Sequence, residues 1–169
     1  MELTTSHMSV FPEEVLSRYQ ICETRNAATI LRATNPTLFD ELVVALNGFE
    51  VISDDLILAG GQESGLARRF NESFRSRGWR EARVDTEIDL KLRIMPYRPA
   101  GETVVTVTSS PVSNEGYKVD NFKGRVALDL EWNAKDGNLD RDIGAYRALY
   151  DAGFIDVGVI VTRTQSELH

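Results

Sequence analysis

From Arg125 to Trp132 apolar and polar side chains alternate. Val126, Leu128, Leu130 and Trp132 occupy one set of positions, and Arg125, Ala127, Asp129 and Glu131 the other. A period of two is the signature of a strand with one buried face. The same period runs from Val84 to Ile94, where Val84, Thr86, Ile88, Leu90, Leu92 and Ile94 oppose Asp85, Glu87, Asp89, Lys91 and Arg93. It predicts a long amphipathic strand near a sheet edge. Thr103–Thr108 is rich in β-formers. Met95–Thr103 and Ser109–Gly116, with their prolines, serines, asparagine and glycines, predict loops. Phe154–Val161 is apolar at nearly every position and predicts a central strand buried on both faces.

Other stretches carry a helical period. Pro12 with Glu13 and Glu14 suits the first turn of a short helix. Arg18–Glu23 fits a strand or a helix continuation equally, and Asn26–Ala33 reads as helical. Asn35–Pro36 starts a further helix with apolar positions Phe39, Leu42, Val43 and Leu46, and Gly48 ends it. Val51–Leu58 leads to a turn at Gly60–Gly61. A helix from about Gln62 to Arg77 then buries Leu66, Phe70 and Phe74. The last helix spans about Leu139 to Ala152, with Ile143, Tyr146, Leu149 and Tyr150 facing inward and Gly153 as its stop. Strand, helix and strand over residues 126–161 predict a crossover unit between parallel strands.

The chain has 169 residues, enough for one domain with its own core. Its 42% hydrophobic and 27% charged residues are ordinary for a soluble protein. No apolar run is long enough to span a membrane, and the N-terminus lacks the features of a signal peptide. The expectation is a cytoplasmic protein. Cys22 is the sole cysteine, and the two histidines, His7 and His169, lie near the ends. A disulfide, a Cys/His zinc site and a Ser–His–Asp triad therefore have no support. Acid–base work falls to carboxylates, lysine, tyrosine or metal-bound water.

The net charge of −7 argues against nonspecific nucleic-acid binding by the chain as a whole, but leaves room for a local basic face. Arg68, Arg69, Arg75 and Arg77, with Arg80 and Arg83 following, form such a cluster. A solvated helix face and a phosphate-facing surface both account for it. The GGQESG segment lacks the Gly-Lys-Ser/Thr ending of a P-loop, and DGNLDRD lacks the spacing of a calcium loop.

The acids of the alternating strand carry the strongest chemical signal. Asp129 and Glu131 are two apart, so they share a face at roughly 6–7 Å. Acids are poor strand formers, and two on one short run call for a reason. If Asp120 folds back to meet them, three carboxylates converge, and an oxygen-rich cluster suits magnesium or manganese. The competing account is an outer strand face whose acids are simply solvated.

Tyr117–Asp120, read with Arg125–Asn133, resembles the active-site region of the BglII/BstYI group of type II restriction endonucleases, within the PD-(D/E)XK nuclease superfamily. Asp140–Arg141–Asp142, the IDVGVIV strand and Arg77–Gly78–Trp79 are similar too. The likeness implies an α/β fold in which a mixed central β-sheet is flanked by helices, as a single domain over residues 1–169. Members of the group continue past the buried strand with segments that grip the target, an extension expected to be lacking here. By the same resemblance Asp120 and Asp129 hold Mg2+ (with Mn2+ able to substitute), and the backbone carbonyl of Leu130 is a further ligand. Glu131 stands where the superfamily usually has lysine, a position at which this group tolerates Gln or Glu. Proton handling then falls to Glu131 or to water on the metal. Lys118, Lys123 and Lys135 are nearby but need a different geometry. The implied activity is site-specific hydrolysis of double-stranded DNA by a homodimer, with Arg68, Arg69, Arg75 and Arg77 as phosphate contacts. Other readings are a non-cleaving DNA-binding or assembly module of the same fold, an enzyme of this fold acting on RNA or damaged DNA, and a plain interaction domain.

Overall fold

The computed structural model describes residues 2–57, 64–132 and 138–164. The Gly60–Gly61 turn, the start of the helix expected from Gln62, the polar turn after Trp132 with Lys135, and His169 lie outside the described residues. The chain forms two compact units, residues 1–82 with 119–169, and residues 83–118.

In chain order the first unit opens with β1 (Leu3–Thr4), α1 (His7–Val10), α2 (Glu13–Leu16) and β2 (Glu23–Thr24). Of the two fates left open for Arg18–Glu23, a strand is realised only at its end, where β2 pairs antiparallel with β1. Next come α3 (Ala27–Thr34), α4 (Pro36–Gly48), α5 (Ser53–Ile57), α6 (Gly65–Arg75) and β3 (Arg80–Arg83). Pro36 opens α4 as expected, but the Asn35 side chain makes no cap and donates instead to Asp156 Oδ2 at 3.3 Å. Ser64 does cap α6, accepting from the Ala67 amide at 3.1 Å.

The second unit is a two-stranded ribbon. β4 (Thr86–Ile94) pairs antiparallel with β5 (Thr106–Asn114) through nine residue pairs, from Thr86↔Asn114 to Ile94↔Thr106. The segment expected to be a loop, Ser109–Gly116, is therefore strand as far as Asn114. Its Pro111 is tolerated because each strand of a two-stranded ribbon has a free edge. The expected amphipathic strand is also corrected: every residue of β4 is exposed, with Leu92 at 62%. Its alternation predicted the strand but not a covered face.

The chain returns to the first unit through β6 (Lys118–Lys123), β7 (Val126–Glu131), α7 (Asn138–Asp151) and β8 (Val157–Thr162). Four strands lie in the order β3-β6-β7-β8. β6 and β7 are antiparallel, β7 and β8 parallel, so the sheet is mixed and the β7–α7–β8 crossover is present. Gly124 and Arg125 make the whole β6–β7 turn, since Lys123 already pairs with Val126. Gly124 has φ 58°, the left-handed backbone that such two-residue turns require. Arg125 anchors the turn, bonding Asp156 Oδ1 and the Gly153 carbonyl at 2.8 and 2.7 Å.

Helices cover both faces of this sheet. Val126, Leu128 and Leu130 pack into a core with Leu31, Leu42, Phe70, Phe74 and Trp79 from the α3, α4 and α6 side. The stripe Leu66, Phe70 and Phe74 is buried as expected. Ala127 and Asp129, on the opposite face of β7, are buried as well, with Tyr146 of α7 bonded to Asp129. So β7, expected to have one buried face, is the strand buried on both. β8, expected to fill that role, keeps only Val157 and Val161 buried, and Phe154 before it is 52% exposed. On α7, Ala145, Tyr146 and Leu149 face inward, whereas Ile143 and Tyr150, also expected inside, are about half exposed.

Candidate active site

The tight β6–β7 turn sets the register of the acids. Asn121 pairs with Leu128, so one step further Asp120 stands opposite Asp129. Opposed residues of antiparallel strands project from the same face. Nine residues apart in sequence, the two acids meet: the Asp120 amide donates to Asp129 Oδ1 at 2.6 Å. The second oxygen, Oδ2, accepts from the Tyr146 hydroxyl at 2.5 Å. Asp129 is buried, while Asp120 and Glu131 are partly buried. Leu130 lies between Asp129 and Glu131 with its side chain in the core on the other face.

α7 brings a fourth acid. Asp142 lies one turn before Tyr146 on the same face and is buried. Its Oδ1 accepts from Arg141 Nε and a terminal nitrogen at 3.1 Å, and its Oδ2 is buried without a hydrogen-bond partner. Glu131 faces it. Two ionised carboxylates offer each other no donor, but a proton on Glu131 creates one.

Burial pushes the Asp129 carboxyl from 3.8 up to about 6. The Tyr146 hydroxyl and the Asp120 amide oppose that rise, and the charges of Asp120 and Asp142 add to it. Burial likewise raises Glu131 from 4.5 to about 7, helped by the charge and hydrogen bond of Asp142 and the charge of Asp129, while Arg141 acts the other way. Burial, then the Asp129 charge, raises the Tyr146 phenol far above its usual range, so its proton stays on and it acts as a donor.

The structure thus joins Asp120 to Asp129 and couples Glu131 to Asp142. Among the described residues no group of three or more Asp, Glu, His or Cys side chains stands ready to hold a metal ion, so the expected three-carboxylate cage is not formed. A cation held by two carboxylates and a carbonyl needs no such group. Magnesium is commonly bound through one or two carboxylates and keeps several waters. The donor chemistry fits a hard cation: all-oxygen acids, two carboxyls raised by burial and like charge, and an orphaned Asp142 oxygen.

Of the lysines, Lys123 is placed elsewhere, and Lys135 lies outside the described residues. Lys123 Nζ donates to both Glu41 oxygens, at 2.7 and 3.0 Å, and to the Arg77 carbonyl at 2.7 Å. Lys118 is exposed. The arginines of α6, and Arg77 just after it, do not join the acids either. Asn121 Nδ2 donates to Asn71 Oδ1 of α6 at 2.7 Å, and its strand neighbour Asp120 points to the other face. Arg69 pairs with Asp55 at 2.5 Å, Arg77 folds back onto the Ser73 carbonyl, and Arg68 and Arg75 are exposed.

Asp142 and Tyr146 are the site residues that periodicity alone missed. Their sequence signal is an acid four residues before an inward-facing tyrosine on one helix. A search of the curated proteins finds no match. The family model described as restriction endonuclease BglII/BglIII matches residues 19–168, nearly the whole chain. The chain belongs to the BglII/BglIII restriction endonuclease family.

Proposed function

We propose that this restriction endonuclease cleaves double-stranded DNA with Mg2+, and that as a homodimer it cuts a short symmetric site. The observation that carries the reading is the turn-fixed meeting of Asp120 and Asp129, with Glu131 on the same strand face. Asp120, Asp129 and the Leu130 carbonyl would hold the cation. When bound, it would neutralise charge on the scissile phosphate and make water a better nucleophile. Glu131 would take a proton from the attacking water at a carboxylate oxygen, and Asp142 beside it favours the protonated product. Attack at phosphorus in line with the departing oxygen leaves a phosphate on one fragment and, once that oxygen gains a proton, a hydroxyl on the other. Two-fold symmetry of the DNA would be matched by two copies of the chain. Arg68, Arg69, Arg75 and Arg77 would contact phosphates and position the duplex without reading sequence.

The test is incubation with mixed-sequence plasmid in Mg2+, Mn2+ or EDTA, beside an Asp129→Ala variant. Discrete cation-dependent fragments absent from the variant are expected, and sequencing their ends would give the site. Folded wild-type protein that leaves site-rich substrates uncut in both metals would overturn the proposal.

A further inference from the structure

Tyr146 holds the face of Asp129 turned away from Asp120, and its own position depends on a residue of another strand. The hydroxyl lies 2.5 Å from Asp129 Oδ2 and 3.1 Å from the Val159 carbonyl of β8. One hydroxyl proton serves one of these acceptors well at a time. The ring lies over Gly158: a Cβ built there would come within 2.3 Å of Cδ2, with Cγ and Cε2 at 2.8 and 2.9 Å. Real side chains do not approach so closely, so any residue but glycine at 158 displaces the ring. Glycine inside a strand weakens it, and close approach of another group is a recognised reason for its presence.

From this geometry we infer that Tyr146 is a positioning residue for the cation site, orienting the Asp129 carboxylate from behind, and that Gly158 is the gap that lets it do so. The inference rests on the proposed role of Asp129 as a ligand. α7 supplies the tyrosine and β8 supplies both the gap and the alternative acceptor, so two elements that carry no proposed ligand fix the rotamer of one that does. A partner behind the ligand shapes affinity because an unheld carboxylate must be ordered when the cation arrives.

The experiment is Mn2+ titration of the full chain without DNA, followed by the electron paramagnetic resonance of free Mn2+, for wild type, Asp129→Ala, Tyr146→Phe and Gly158→Ala. Thermal unfolding and circular dichroism check each fold. Tyr146→Phe keeps the ring and removes only the hydroxyl. The expected result is Mn2+ binding weakened about tenfold or more in Tyr146→Phe with its fold intact. Gly158→Ala should weaken it in the same direction although residue 158 reaches no acid. Wild-type affinity in folded Tyr146→Phe would overturn the inference while leaving the cation site in place. If Gly158→Ala fails to fold, Tyr146→Phe alone decides. Loss of saturable binding in Asp129→Ala isolates the ligand itself. Wild-type protein that binds no Mn2+, or Asp129→Ala that binds as wild type does, would remove the proposed site and this inference with it.

Discussion

Replacing Asp129 by Asn should stabilise the cation-free protein at alkaline pH. In the native fold the carboxyl titrates near 6, against 3.8 for the unreacted group. A folded-state value above the unfolded one means that the native state holds the proton more tightly. The resulting stability is fully present below about pH 4 and is lost as the pH rises through about 6. At about 1.4 kcal/mol per unit the loss approaches about 3 kcal/mol, a large part of the stability of a domain this size. Asn copies the protonated acid. Its oxygen can accept from the Asp120 amide while its NH2 donates to the Tyr146 oxygen, which frees the tyrosine proton for the Val159 carbonyl. Urea unfolding of both proteins in EDTA from pH 4.5 to 8 is the assay. The variant's advantage should grow with pH and level off above about 7, by about 2–3 kcal/mol. Glu131, raised in the same direction, adds a slope to both proteins, shallower in the variant because the Asp129 charge is one of its causes. Equal midpoints at pH 8 and at pH 5 would refute the reasoning, because they would mean that ionised Asp129 costs the fold nothing.

Added Mg2+ at pH 8 should raise the unfolding midpoint of wild type but not of Asp129→Asn, since a ligand stabilises the state that binds it. Asp120→Ala should cut plasmid cleavage at saturating Mg2+ by at least about a thousandfold, read from initial rates. Glu131→Gln, which keeps shape and hydrogen bonding but not basicity, should slow cleavage by about a hundredfold while Mn2+ affinity changes far less. Lys123→Met should lower stability by about 1–3 kcal/mol in urea unfolding, because Glu41 keeps only the Trp79 indole as a side-chain donor and the Arg77 carbonyl loses the ammonium, with Mn2+ affinity unchanged. A loss of Mn2+ binding there would place Lys123 in the site after all.

Periodicity marked the strand with Asp129 and Glu131 but left the return of Asp120 as a condition, which the short β6–β7 turn meets. With Gly124 and Arg125 as the whole loop, the meeting of Asp120 and Asp129 follows by counting along two strands. What periodicity could not reveal is that the polar face of β7 is covered. Alternation distinguishes two faces but not water from a helix, and α7 covers the acid face with Ala145, Tyr146 and Leu149. The opposite error occurs in β8 and β4. Uniform apolarity in Phe154–Val161 and strict alternation in Val84–Ile94 promised burial, yet Phe154 and Leu92 are largely exposed. Burial depends on what arrives from elsewhere in the chain, and that partner is absent from a local pattern. The resemblance to restriction endonucleases supplied the mixed sheet that local patterns left undetermined.

The placement of basic groups bears on whether the acids serve the fold or a ligand. A buried acid kept for stability is ordinarily paired, because an unpaired charge away from water is costly. Asp129 has hydrogen-bond donors but sits among the negative charges of Asp120 and Asp142. Lys123, on the adjoining strand, could have relieved them, yet it points to the other face and neutralises Glu41. Arg141 reaches Asp142 from α7 and leaves the second Asp142 oxygen without a partner. Solvation does not explain the arrangement, since Asp129 and Asp142 are both buried. Protons, which its raised carboxyls take up near neutrality, relieve the cluster, and a cation would do the same. Acids whose carboxyls are raised by burial and by one another's charge are what the proposed cation site calls for.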